Sequence, residues 1–427
     1  MVQNAFSALS WQRTLYVNGF AGKRPKVPAQ WHELYKAGKE VMSEKAFAYI
    51  AGGAGLEKTM EANRRGFEQL QIVPRMLQNV EQRNLSITLF GKLLPSPFLL
   101  SPIGVLEMVH SEADLAVARA AAAFHVPFIF SNQASVPMEQ TAAAMGNSPR
   151  WFQLYWSKSD ELVASLVQRA ERSGCQAIVV TLDTTMLGWR PRDLNLGYLP
   201  FMEGKGIAQY TSDPVFMQLV REQLHQPQAL ETKPPITWQA IRGLWKMASA
   251  FPGNPLANMF SPLPRAAVRL FVNIYSRPSL TWENLRFLRQ HTRLPIVLKG
   301  ILHPEDARRA IDEGIDGIMV SNHGGRQVDG AIAAIDALPE IVQAVAGKIP
   351  VLMDSGIRSG ADAFKALALG ATAVGIGRPY AFGLAIGGER GVREVISHFL
   401  ADLELNMALS GCKNILEVRE ATLKRRS

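Results

Sequence analysis

The sequence predicts an α/β fold, a (β/α)8 TIM barrel with an N-terminal helical extension and a long insertion after strand 4. Three observations carry the prediction. Eight short apolar runs each stop at a polar residue, most are followed by a segment with apolar residues three and four apart, and the spacing between runs is about 22 to 33 residues with one exception.

Residues 1–90 precede the first run and are mostly helical in pattern, ending in a stretch where Leu85, Ile87 and Leu89 alternate as in a small accessory hairpin. The glycine cluster at 51–55 is no dinucleotide fingerprint, because no strand precedes it and its spacing is wrong. The barrel is assigned to residues 91–420. Its runs are PFLLSP from residue 97, PFIFS from 127, FQLY from 152, AIVVTLD from 177, PIVLKG from 295, GIMVSNHGG from 317, PVLMDSG from 350 and AVGIGRP from 373. Runs this apolar suit parallel strands covered on both faces. DELVASLVQRAERSG after the third and PEDARRAIDEG after the fifth show helical spacing. More than 100 residues separate the fourth and fifth runs, so an insertion is placed at 195–280. Residues 421–427 are set apart as a basic tail.

The formal net charge is +9, and its distribution matters more than its size. From Thr232 to Trp282 there is no Asp or Glu, whereas Lys233, Arg242, Lys246, Arg265, Arg269 and Arg277 stand among Trp, Met, Phe and Leu. A loop this long in a compact domain is a lid, a partner surface or disordered. Two readings stand: a lid over the barrel or a neighbouring subunit, and basic amphipathic helices making peripheral membrane contact through 232–282. Nucleic acid is not expected, because no binding motif accompanies the charge.

Two cysteines build neither a disulfide framework nor a four-ligand zinc site, and the eight histidines show no metal-ligand spacing, so no metal is expected. The first twenty residues lack the pattern of a secretory signal, and no apolar run reaches transmembrane length. The expected location is cytoplasmic, with peripheral attachment to the inner face of a membrane as the alternative.

In such a barrel the chemistry sits where strands end at their carboxyl side. The first polar residues there are Ser101, Ser131, Gln153, Tyr155, Thr181, Asp183, Lys299, Ser321, His323, Asp354, Gly377 and Arg378. DSGIRSG and GIGRPYAFG, after the seventh and eighth runs, pair glycines with Arg358 and Arg378, which suits a phosphate. SNHGGRQ places His323 three residues from Arg326, a proton acceptor beside a carboxylate clamp. Arg190, Tyr49 and Tyr155 add donors, and Asp183 suits the support of an imidazolium. Lys299 leaves Schiff-base chemistry open as a rival.

The motifs SNHGGRQ, FQLYW, TLDTTMLGWRPRD, PIVLKGI, DSGIRSG and KALALGATAVGIGRPYAFG together resemble the FMN-dependent 2-hydroxy-acid oxidising family, over roughly residues 30–420. YIAGGAG, PRML, SPIGV, LGWRPRDL, TSDPVF and the long fourth-loop insertion look like its lactate 2-monooxygenase branch. The resemblance implies FMN as cofactor and an L-2-hydroxy acid, lactate-like, as substrate, oxidised to the 2-oxo acid. It implies oxygen as acceptor with oxidative decarboxylation, or alternatively a membrane-associated dehydrogenase passing electrons to quinone, and a homotetramer.

It further implies His323 as base supported by Asp183, Arg326 and Arg190 on the substrate carboxylate with Tyr49, and Tyr155 on the substrate hydroxyl. FMN is implied to meet Pro102, Ile103, Gly104, Ser131, Gln153, Thr181, Lys299 and Ser321 along its ring. Asp354, Gly356, Arg358, Gly377 and Arg378 would take its ribityl chain and phosphate. Gly104 stands where glycolate and lactate oxidases have alanine, Gln133 where the family usually has Trp or Leu, and the insertion is longer than the monooxygenase pattern implies.

Overall fold

The computed structural model describes residues 6–224 and 237–426. Each apolar run forms a strand: β1 (Phe98–Leu100), β2 (Phe128–Phe130), β3 (Arg150–Leu154), β4 (Ile178–Thr181), β5 (Ile296–Ile301), β6 (Gly317–Val320), β7 (Val351–Met353) and β8 (Ala373–Ile376). They close into one parallel barrel, with β8 bonded to both β7 and β1. Phe98, Leu99, Leu100, Val297 and Leu298 are fully buried, so both faces of these strands contribute to the core. Each such side chain contributes roughly 1.5–3 kcal/mol relative to exposure.

The helices between strands show why the pattern is local. In Asp160–Arg172 the buried side chains Leu162, Val163, Leu166, Val167 and Ala170 recur at helical spacing. Ser159 caps its first turn by accepting the Leu162 N–H, Asp160 and Glu161 sit at its positive end, and Arg169 and Arg172 at its negative end.

Pairing register positions the chemistry. Thr181 at the end of β4 lies beside Lys299 of β5. Beyond Lys299 the β5–β6 register shifts, and Gly300 adopts φ 107° with Asp183 so close that a Cβ would meet its side chain at 2.9 Å. Only glycine satisfies both conditions.

The N-terminal extension packs as helices Ala8–Phe20, Trp31–Val41, Glu44–Ala51 and Lys58–Glu68. The accessory hairpin pairs Ile87–Leu89 with Lys92–Leu94, so the boundary drawn at residue 90 falls inside it. Phe90 and Gly91 form its turn, both with positive φ. The Phe90 ring lies 5.6 Å from that of Trp151, near the start of β3, and closes the end of the barrel away from the chemistry. The basic 421–427 segment is not a separate appendage. Its Leu423–Arg425 form an antiparallel pair with Leu70–Ile72.

The insertion folds into helices, among them Pro214–Leu224, Trp238–Ala250, Pro255–Phe260 and Leu263–Ile274. An aromatic cluster roots it: Phe271 lies 5.0 Å from Phe201, 4.8 Å from Tyr210 and 5.1 Å from Tyr275. The Lys158 N–H and the Ser157 hydroxyl donate to the Ile274 carbonyl, and Arg277 pairs with Asp160 at 2.6 Å. Residues 225–236, including Lys233 and the start of the 232–282 stretch, lie outside the described residues. Lys246 is not a free surface cation, since it pairs with Glu203 at 2.6 Å. Among the described residues no helix is long and apolar enough to cross a membrane.

Candidate active site

A pocket opens at the carboxyl ends of the strands. Of the residues singled out in the sequence, Tyr49, Pro102, Ile103, Gly104, Tyr155, Arg190, Lys299, His323, Arg326, Asp354, Gly356, Arg358, Gly377 and Arg378 line it. Ser131, Gln153, Thr181, Asp183 and Ser321 stand next to lining residues rather than in the lining itself. The first three and Ser321 belong to a buried polar layer at the strand ends. Ser131 Oγ donates to Gln153 Oε1 at 3.2 Å, Gln153 Nε2 to Thr181 Oγ1 at 3.0 Å, and Lys299 Nζ to Ser321 Oγ at 2.8 Å. Buried polar groups of this kind must be paired, and the layer satisfies them in series.

His323 stands on a sharply reversing loop, with φ of 56° at His323, 64° at Gly324 and 74° at Gly325. A non-glycine residue in that region is strained and persists only where its surroundings over-determine it. Here they do: the Asn322 and Asn63 side-chain amides exchange hydrogen bonds at 2.8 and 2.9 Å, tying the loop to helix Lys58–Glu68. His323 Nδ1 lies 2.8 Å from Asp183 Oδ1, and Thr184 Oγ1 donates to the same carboxylate oxygen at 3.1 Å.

Burial pushes the Asp183 carboxyl up, but Lys299, 3.9 Å from Oδ2, and His323 outweigh it and hold it at about 2. Burial lowers the His323 pKa and Lys299 and Arg190 add to that, against the opposing pull of Asp183. A neutral imidazole beside a fixed carboxylate results, able to accept a proton at Nε2 while Asp183 stabilises the charge it gains.

Two guanidiniums line the same pocket as the imidazole. Arg190 donates to the Arg326 carbonyl at 3.2 Å and to Gln327 Oε1 at 2.9 Å, and Gln327 in turn donates to the Asp183 carbonyl at 2.7 Å. Arg326 donates to the Gly52 carbonyl at 2.9 Å and lies 5.0 Å over the Tyr49 ring. Burial, with Arg190 beside it, pushes the Arg326 pKa down. A guanidinium stays protonated in proteins, so the buried charge that Asp193 only partly offsets suits an anionic ligand. Burial also raises the phenols of Tyr49 and Tyr155, keeping both as hydrogen-bond donors.

The far end of the pocket has the same character. Burial lowers the pKa of Arg358, with Arg64 adding to it, and that of Arg378, with Arg358 adding to it. Arg378 donates to the carbonyls of Ile50, Gly324 and Gly52 at 2.8–2.9 Å, so it is held by backbone on its inner side. Arg358 Nε is buried without a partner. A Cβ at Gly377 would meet nothing within 4 Å, so its backbone faces open space. This donor set fits a phosphate group.

Sequence reasoning missed part of the pocket wall. Leu187, Phe201 and Tyr275 line it, the last two from the insertion, so the insertion contributes part of the wall. No periodicity marks those two. Ser355 was legible as part of DSGIRSG: its hydroxyl accepts the N–H groups of Asn322 and Gly324 at 3.3 and 2.9 Å. Gly104 also gains a specific reason, since a Cβ there would press Gln133 Cβ and O at 3.0 and 3.1 Å.

Comparison with known proteins places this geometry in context. Residues 38–425 match a family model described as FMN-dependent dehydrogenase. The chain is 42% identical over 396 residues to an L-lactate oxidase of Lysinibacillus sphaericus, covering 93% of this chain and 92% of the relative. It is 41% identical over 417 residues to the FMN-dependent alpha-hydroxy acid dehydrogenase qulF of Penicillium citrinum, covering 97% and 96%. A solved structure of mandelate oxidase with (S)-4-hydroxymandelic acid superposes with a TM-score of 0.77 at 36% identity, covering 93% of this chain and 99% of that one.

Proposed function

The chain belongs to the FMN-dependent dehydrogenase family and is an FMN-dependent oxidoreductase of α-hydroxy acids; from that premise we propose that it oxidises a lactate-like L-2-hydroxy acid to its 2-oxo acid with dioxygen as acceptor. The observation that carries this reading is the buried His323–Asp183 pair beside a pocket lined by Arg190 and Arg326, neither of which has a carboxylate within 4 Å among the described residues.

In this reading Arg326 and Arg190 take the substrate carboxylate, with Tyr49 as a further donor and Tyr155 on the substrate hydroxyl. That orientation brings the C2 side of the substrate to His323. The imidazole accepts the proton at Nε2, and Asp183 stabilises the resulting cation through Nδ1–H. Arg358, Arg378, Gly356 and Gly377 would hold the FMN phosphate end and Asp354 the ribityl chain. Pro102, Ile103, Gly104 and Lys299 would hold the ring end, with Ser131, Gln153, Thr181 and Ser321 supporting them. FMN, when bound, supplies the two-electron acceptor.

Phe201 and Tyr275 bring the insertion into the pocket wall, which favours keeping the 2-oxo acid in place while dioxygen is consumed. The net reaction in that case is oxidative decarboxylation: lactate and O2 give acetate, CO2 and water. If the oxo acid leaves first, pyruvate and hydrogen peroxide are the products. Gln133 also lines the pocket and its side-chain amide has no hydrogen-bond partner among the described residues, which favours a hydroxy acid with a polar group on its side chain alongside lactate.

A second reading has its own observation. Trp238, Trp245, Leu256 and Phe260 are exposed on the insertion helices, Phe260 at 87%, within a stretch devoid of acids. This favours contact with an anionic membrane and a quinone as acceptor.

Anaerobic mixing with a panel of L-2-hydroxy acids, followed at the ~450 nm absorbance of an oxidised flavin, tests the first reading when oxygen is then readmitted and products are identified. Reoxidation in air with acetate and CO2, or with pyruvate and peroxide, supports it and separates its two outcomes. Bleaching that persists in air and reverses with a quinone replaces it with the second.

A further inference from the structure

We propose that Arg64, in the N-terminal extension, is a positioning residue for the phosphate end of the cofactor site: it clamps loop 354–360 in the conformation that presents Arg358. The inference rests on the reading that Arg358 meets the FMN phosphate.

Arg64 does not line the pocket. Its Nη1 bonds the Gly356 carbonyl and donates to Asp362 Oδ2 at 2.7 Å. The same Asp362 oxygen accepts the backbone N–H of Arg358 at 2.8 Å. One guanidinium therefore joins the residue two before Arg358 to the carboxylate that holds Arg358 itself.

The loop needs such a clamp. Ser355 and Gly356 both have positive φ, 76° and 88°, and a non-glycine residue at that angle reverts unless held. Downstream the loop is already fixed, because Asp402 Oδ2 accepts the N–H of Gly360 at 2.6 Å and Ser359 Oγ that of Asp362 at 3.1 Å. Upstream, the Ser355 hydroxyl accepts the Asn322 and Gly324 N–H groups, and Arg64 adds the anchor at Gly356, a residue between those contacts and Arg358. Trp31, also from the extension, lies against the Arg358 guanidinium at 4.3 Å, which limits where its head can go.

Charge points the same way. Asp362, whose side chain is 5% exposed, ion-pairs with Arg64, while the Arg358 guanidinium donates only to the Ile357 carbonyl. The Arg358 charge is left without an ion pair among the described residues, and its Nε is buried without a partner. A phosphate resolves both, and Arg64 holds the arrangement ready without touching the ligand.

The test uses the full-length chain stripped of cofactor, with flavin fluorescence reporting the Kd for FMN and for riboflavin, which lacks the phosphate. Arg64→Ala is expected to weaken FMN roughly tenfold or more while riboflavin changes by less than about twofold, with Arg64→Lys recovering part of the loss. A general folding defect would weaken both flavins together, and that outcome overturns the clamp. Arg358→Ala is the control. If it loses the preference for FMN and Arg64→Ala keeps it, the clamp is wrong and the phosphate reading stands. If neither loses it, the phosphate reading fails. Should Arg64→Ala be insoluble, Arg64→Gln is judged by the same ratio.

Discussion

Replacing Asp183 with Asn isolates the contribution of the carboxylate to proton abstraction while leaving its shape in place. Asp183 Oδ1 is 2.8 Å from His323 Nδ1, so the charge centres of the protonated pair lie about 4 Å apart. At an effective dielectric of about 20, that attraction is worth ~4 kcal/mol. Asn keeps an acceptor for Nδ1–H, which returns about 1 kcal/mol. Lys299 is left with Asp354, 3.6 Å away, so its charge is not orphaned. The net loss is about 3 kcal/mol, and flavin reduction at saturating substrate should slow about 100-fold. Stopped-flow bleaching under anaerobic conditions, at matched FMN content, measures it. The apparent affinity for substrate should hardly move, because Arg190 and Arg326 keep their places. A slowing of less than about threefold refutes the electrostatic role of Asp183, and an equal rise in KM would instead make it a binding residue.

Four further outcomes follow from the same geometry. Arg326→Met should cost about 2 kcal/mol or more in apparent affinity for hydroxy acids, read from the substrate dependence of bleaching; an unchanged affinity removes it from the carboxylate site. Because the His323 pKa is lowered from its ordinary 6.5, the rate of flavin reduction should fall on the acid side only below pH 6.5, and a pH profile with its acid limb above that value contradicts a neutral buried base. Asp183, held at about 2 against an ordinary 3.8, contributes stability fully present above about pH 4 and lost as pH falls towards 2; urea titrations should show that contribution absent in Asp183→Asn. Replacing Trp238 and Trp245 with Ser should abolish any pelleting with anionic liposomes and leave flavin reduction unchanged, whereas pelleting that survives places the contact elsewhere.

What was legible in the sequence is what depends on neighbours along the chain. Phe98–Leu100 or Ile178–Thr181 are apolar without a break because both faces are covered, and such a run carries its own signal. The polar residue that ends each run is legible for the same reason, which is why His323, Asp183, Lys299 and Asp354 emerged before any coordinates. The partners of those residues were not legible. Ser131, Gln153 and Thr181 stand at the ends of three different strands and bond one another, a pairing that only the closed barrel creates.

The eight apolar runs, their helical intervals and the polar strand ends therefore determined the fold and the candidate groups at the barrel's carboxyl end, because each is encoded within one β-strand and the turn after it. The tertiary structure alone decided which distant segments complete the site. Phe201 and Tyr275 reach the pocket wall from an insertion, Asn63 steadies the His323 loop, and Arg64 anchors the Arg358 loop across nearly 300 residues of chain. Such pairings have no period and no local propensity. They exist because closing the barrel lets buried donors and acceptors find partners that water can no longer supply.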